Sequence, residues 1–149
     1  MKNIKTFAFQ GVSGAYSELA GNEIYNNATS INCKTFEEMF ECVRENNADA
    51  AIVPIENSKA GRVADTQRLI PASKLKIVGE YFLKINHCLL AVKGSSMETI
   101  KRVYSHEQAI AQCRNKLIKN KKEMIVSADT AGSAKMIASQ NNIEAGAIA

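Results

Sequence analysis

The constraint that bears hardest on the fold is an alternation in the first third of the chain. Short apolar runs at Thr6–Gln10, Ile31–Cys33 and Ala50–Pro54 are separated by segments of helical period. Thr6–Gln10 alternates and carries Phe7 and Phe9. The break at Gly11-Val12-Ser13-Gly14 then leads into a helix opened by Ser17 and Glu18 and running to about Tyr25. Thr35 with Glu38 three residues on has the form of a capping box. Phe36, Met39, Phe40 and Val43 give the following helix one apolar face, which reads as core, and Asn46-Asn47 ends it. Strand, helix, strand, helix, strand predicts a parallel sheet, because parallel neighbours need a crossover and a helix supplies it.

Beyond Pro54 the pattern is less regular. Lys59–Arg62 reads as a loop and Val63–Ile70 as a short helix stopped by Pro71. Ile77–Ile85 is a long strand candidate leading into a second apolar run, His87–Val92, and Gly94-Ser95-Ser96 is a turn. Thr99–Tyr104 reads as a strand that delivers Ser105 and His106 at its carboxyl end. A helix over Glu107–Lys119, a strand over Met124–Val126 and a helix capped by Thr130 and ending near Gln140 follow. Ala145–Ala149 has the character of a buried strand and simply stops, so the expectation is a fragment or an early-terminated product.

At 149 residues the chain has room for one compact domain or for two small lobes. Apolar residues at 46% and charged residues at 23% are ordinary for a globular protein. No apolar run approaches the ~20 residues a bilayer span needs. The start, Met1-Lys2-Asn3-Ile4-Lys5, lacks a signal-peptide core, so a cytoplasmic protein with no membrane partner is expected. The four cysteines, Cys33, Cys42, Cys88 and Cys113, form no close pair and read as reduced thiols rather than zinc ligands. Net charge is +4, and the densest basic run, Arg114 to Lys122, falls at a helix end without interleaved aromatics. It reads as a solvated helix terminus rather than a nucleic-acid surface.

Three groups of polar residues stand at predicted turns or strand ends, where ligand chemistry collects in open α/β sheets. The first is the turn Gly11–Ser17 before a helix N-terminus. Backbone N–H groups there can hold an anion, although Gly11 and Gly14 equally suit a plain turn. The second is Glu56-Asn57-Ser58, released by Val53-Pro54; Glu56 also suits a surface carboxylate and Asn57 a turn. The third is Ser105-His106 with Gln108 and Gln112, four apart on one helix face. Ser105 is also a good N-cap for that helix. His87-Cys88, inside an apolar run, reads as core.

Taken together, these residues resemble the prephenate dehydratase family. The resemblance rests on Val53-Pro54-Ile55-Glu56-Asn57-Ser58 followed by Gly61, Val63 and Thr66, and on Ile77-Val78-Gly79-Glu80. It also rests on His87-Cys88-Leu89-Leu90-Ala91, on Tyr104-Ser105-His106 continuing to Ala109, Gln112 and Cys113, and on the opening Phe9-Gln10-Gly11 to Tyr16-Ser17-Glu18. It implies an α/β fold of two lobes, 1–84 and 85–149, like type II periplasmic binding proteins, with the second lobe incomplete and a substrate in the cleft. It also implies conversion of prephenate to phenylpyruvate, on the way to phenylalanine, without metal or organic cofactor; some relatives act on arogenate instead. The resemblance implies Glu56, Asn57 and Gln112 as catalytic residues. As substrate-binding residues it implies Gly11, Ser17, Ser58, Thr66, Ser105, His106 and Thr130. The partner is then a small dicarboxylate, with a homodimer allowed.

Two departures matter. Ala15 stands where the family usually has Thr, and the family's Thr-Arg-Phe motif occurs nowhere in these residues. The C-terminal ACT regulatory domain common in the family is also absent from the sequence. The expectation is therefore a dehydratase portion inactive by itself; the alternative is a non-catalytic module that binds a small anion on the same fold.

Overall fold

The computed structural model describes residues 4–149, so the basic start read at residues 1–3 falls outside the described residues. The elements group into two compact units, one reaching to Lys84 and one spanning Ile85–Ala149.

In the first unit β1 (Thr6–Gln10) is the central strand. β2 (Thr29–Cys33) and β3 (Ala50–Ile52) flank it, both parallel to it. The connections are α1 (Tyr16–Ile24) and α2 (Phe36–Arg44). Phe7, Ala8 and Phe9 are all buried, because both faces of the sheet are covered. The Phe7 ring lies against Gly21 of α1 and near Tyr25. Ala8 turns the other way, into a core with Met39, Phe40 and partly buried Leu69 and Ile70. Burying each Phe side chain contributes about 1.5–3 kcal/mol. The start of β1 is held by Asp49, whose Oδ2 accepts from the N–H groups of Lys5 and Thr6 at 3.0 and 3.1 Å.

The Thr35 hydroxyl accepts from the Glu38 N–H at 3.1 Å, as the capping box requires. The Glu38 carboxylate, however, reaches the Lys34 N–H at 2.7 Å, one residue outside the cap.

Three expectations for this unit are corrected. The loop at Lys59–Arg62 is half strand: β4 (Glu56–Asn57) and β5 (Gly61–Arg62) pair antiparallel around a tight turn. Pro71 does not stop the third helix, α3 (Ala64–Ser73), which contains it. Pro71 gives up the hydrogen bond its N–H would make to the Gln67 carbonyl, and the helix ends two residues later. Ser73 and Lys74 make the stop. The Ser73 hydroxyl donates to the Ile70 carbonyl, and Lys74 takes the left-handed conformation at φ +60°. No strand forms over Ile77–Ile85. Ile77, Val78 and Phe82 are 76%, 77% and 85% exposed, and the first unit offers this stretch no ladder partner among the described residues. Alternating apolar residues make a strand only where a neighbour takes up the backbone groups.

The second unit is a four-stranded sheet in the order β6 (Leu89–Ala91), β9 (Ala145–Ile148), β7 (Arg102–Ser105), β8 (Glu123–Val126). β7 runs parallel to both β8 and β9, and β6 runs antiparallel to β9. The strand read from Thr99 begins three residues later. Thr99 is held in a turn in which its hydroxyl oxygen accepts from the Ser96 N–H at 2.7 Å. Two helices cover opposite faces. α4 (Glu107–Lys119) packs Ala109, Ile110 and Leu117 with Val103 and Ile148, while α5 (Thr130–Gln140) packs Ile137 with Ala145 and Ala147. β9 is buried along its whole length, the character read for Ala145–Ala149.

Candidate active site

In the first unit the Gly11–Ser17 turn follows β1 and leads into α1. Gly11 and Gly14 have φ of +124° and +92°, which side-chain-bearing residues rarely adopt. Two of the turn's N–H groups are engaged within the unit, as a plain turn would have them. The Gly11 N–H donates to the Cys33 carbonyl at 2.9 Å, and the Gly14 N–H donates to the Glu18 carboxylate at 2.7 Å. Glu18 also accepts from the hydroxyls of Ser13 at 3.1 Å and Ser30 at 2.7 Å. Burial pushes its carboxyl upward, but these three hydrogen bonds to the ionised form outweigh it and leave the pKa lowered. Glu18 thus supplies the turn's anion itself and ties it to β2. Ser17, half-buried, is the second residue of α1.

The Glu56–Ser58 group forms the hairpin. Asn57 Oδ1 accepts from the N–H groups of Lys59 and Ala60 at 2.9 and 3.0 Å, so Asn57 is a turn residue. With the oxygen fixed inward, its amide NH2 is turned away from the turn as a donor. Glu56 and Ser58 are exposed. Thr66 is wholly buried, and its hydroxyl lies 2.8 Å from the Pro54 carbonyl and 2.9 Å from the Val63 carbonyl. That donation binds α3 to the end of β3, and it removes Thr66 from the substrate-binding set.

In the second unit Ser105 is also wholly buried, and its hydroxyl donates to the Ile148 carbonyl at 2.6 Å. It links β7 to β9 and has no donor left for a ligand, so it too leaves the set. Nor does it cap α4. His106 does, its Nδ1 accepting from the Gln108 N–H at 3.3 Å. Gln112 is half-buried on α4, one turn beyond exposed Gln108. Thr130 is the first residue of α5 rather than its cap; Asp129 Oδ1 accepts from the Gly132 N–H at 2.5 Å.

Sequence reading took Glu18 only as a first-turn acid and passed over Asp129 and the hydroxyls of Ser127 and Ser133, which lie 2.5 Å apart. Asp129 was discoverable, since Asp outranks Thr as an N-cap. Cys33, buried against Cys42 and near Glu38, has its thiol pushed up to about 11, first by desolvation, and is a core group rather than a nucleophile. Among the described residues no group of three His, Cys, Asp or Glu side chains is placed to hold a metal ion.

In each unit polar residues follow a parallel strand and lead into a helix, Gly11 to Ser17 in one and His106 and Thr130 in the other; Asn57 stands in the antiparallel hairpin and Gln112 on α4. This is the equipment of an α/β small-molecule enzyme or binding protein. A sequence profile of the prephenate dehydratase family matches residues 7–149, and the chain belongs to that family. Arogenate dehydratase 2 of Petunia hybrida is 46% identical over 142 residues, which are 95% of this chain and 36% of that protein. A bifunctional N-acyl-homoserine lactone acylase/prephenate dehydratase of Komagataeibacter europaeus is 39% identical over 92% of this chain and 49% of its own length. The crystal structure of a prephenate dehydratase from Arthrobacter aurescens in complex with L-Phe superposes with a TM-score of 0.88 at 33% identity. That match covers 96% of this chain and 49% of the other. The chain spans about a third to a half of the length of these relatives. Among the described residues no helix is long and apolar enough to cross a membrane.

Proposed function

We propose that the chain takes part in the decarboxylating dehydration of prephenate or of its amino counterpart arogenate, each unit being one lobe of a periplasmic-binding-protein-type fold. The observation that carries this is the family match over residues 7–149, with relatives named for both substrates. The proposal includes a cytoplasmic location and allows a homodimer.

In this reaction the C1–carboxylate bond breaks and CO2 leaves. The bonding pair enters the ring, and the C4–O bond breaks as the hydroxyl takes up a proton and departs as water. Aromatisation drives the step, so the protein's task is to hold the carboxylates and deliver one proton. The residues present supply the first part. The Asn57 amide donates to a carboxylate, supported by Ser58, and the Gly11–Ser17 turn presents Ser17. Glu56 orients the leaving hydroxyl, and His106, Gln112 and Thr130 are further candidates for substrate contact. The proton donor implied by the family's Thr-Arg-Phe motif is not among these residues.

Two measurements test this. Calorimetric titration of the 149-residue chain with prephenate and with arogenate is expected to show saturable binding of at least one. A folded chain that takes up neither at millimolar concentration would sink the proposal. Turnover by the same chain is expected to be absent, and formation of phenylpyruvate would assign the proton donor to a residue named here.

A further inference from the structure

The two sheets repeat one plan and differ at one edge. β2-β1-β3 and β8-β7-β9 have the same order and the same parallel pairing. In the second unit the third strand of the plan, β9, is closed on its outer side by antiparallel β6 and is buried at every residue. In the first unit the corresponding strand, β3, has no ladder partner on that side among the described residues, and each of its residues is only half-buried. An open edge of N–H and C=O groups is a template for a further strand. The same unit carries a stretch with strand chemistry and no strand. Ile77, Val78, Tyr81 and Phe82 stand exposed between Lys76 and Lys84, where neither helix nor strand forms. The Tyr81 hydroxyl donates to the Glu23 carboxylate of α1, which ties the stretch to α1 within its own copy.

We propose that β3 takes up Lys76–Lys84 of a second copy of this chain as an antiparallel strand, each copy giving one such strand and receiving one, so that the assembly closes as a dimer. Charge complementarity selects this occupant. β3 is flanked by two acids, Asp49 and Glu56, and the stretch by two bases at nearly the same spacing. Laid antiparallel with Lys84 opposite Asp49, the stretch brings its Lys76 beside Glu56, which sets a cation from the second copy next to the candidate site. In that register Phe82 falls opposite Ala51. Ala51 pairs with Ala8 and shares its face, where Val53, Leu69 and Ile70 are only partly buried, so Phe82 extends an existing core. The pairing restores to the first sheet the antiparallel neighbour that β6 supplies in the second.

Sedimentation equilibrium of the 149-residue chain over a range of concentrations tests the proposal, with hydrogen exchange to locate the contact. The wild type is expected to form dimers, and the amides of Ala50–Ile52 are expected to gain protection as concentration rises. Phe82→Asp is expected to weaken dimerisation by about tenfold or more, the scale of one lost apolar burial. Lys76→Glu is expected to weaken it several-fold, and adding Glu56→Lys in the same chain is expected to restore it, because the pair is then reversed rather than lost. These side chains are exposed, and thermal melts establish that each variant is folded. A wild type that stays monomeric into the millimolar range leaves the edge to a strand of different origin and overturns the proposal. A dimer that Phe82→Asp leaves intact, or one whose Ala50–Ile52 amides exchange equally fast at every concentration, overturns it as well.

Discussion

Asn57 does two jobs with two ends of one amide, and substitution can separate them. Its oxygen closes the turn onto Lys59 and Ala60, while its NH2 is the donor assigned to a substrate carboxylate. Asn57→Asp keeps the turn acceptor and replaces the donor with a negative charge, so the fold is expected to survive while prephenate affinity falls tenfold or more, about 1.5–3 kcal/mol. Asn57→Ala loses both functions. Calorimetry paired with a thermal melt distinguishes them, and full affinity in Asn57→Asp would remove Asn57 from the site. Glu18 carries a pH signature. Its folded pKa lies below the ordinary carboxylate value near 4.3, so its stabilisation is present above that value and is lost as pH falls through the folded pKa. Glu18→Gln is therefore expected to melt lower than the wild type at pH 7 and to converge with it below about pH 4. A gap that persists undiminished at pH 3 would show that the ionised form contributes nothing.

At the scale of elements, the helix N-termini and one close approach set the tolerances. An added Cβ at Gly21 would sit 2.2 Å from Phe7 Cε2, and the Phe7 ring is wholly buried. The propensity gain of Ala over Gly, about 0.5–1 kcal/mol, is smaller than an overpacking cost of about 1–3 kcal/mol. Gly21→Ala is thus expected to destabilise the first unit by about 1 kcal/mol or more in urea titration. Asp129→Ala, which removes the cap of α5, is expected to cost about 1 kcal/mol, while Thr130→Ala leaves the helix intact and changes only ligand binding. Chemical denaturation of the two variants side by side checks that division. The sequence made most of these elements legible because their signals are local: β1 by its alternation, α2 by Thr35 and its apolar face, α4 to its end residues. What stayed hidden depends on partners distant in sequence. The Ser105 hydroxyl looked like a ligand group at a strand end and Thr66 entered through the family resemblance, and only the neighbouring carbonyls of Ile148 and Pro54 show otherwise. Glu18 was visible as a first-turn acid, but its hold on Ser30 needed the pairing of β1 with β2.

At the scale of the molecule, each unit has its own core and its own sheet. Ile77–Ile85 marks the limit of pattern reading, since Ile77, Val78, Tyr81, Phe82 and Ile85 stand 38–85% exposed while Leu83 is half-buried, and no strand of the described residues pairs with it. The two sheets also differ in the order in which their parts arise. In the first, the middle strand, β1, precedes both of its neighbours in the chain. In the second, β9 comes last and lies between β6 and β7, and among the described strands β6 pairs only with it. On a ribosome the first sheet can assemble strand by strand as the polypeptide emerges. The second must wait with β6 unpaired and the faces of Val103 and Ile137 incompletely covered until residues 145–148 clear the exit tunnel. That interval is when the nascent chain has most need of a chaperone.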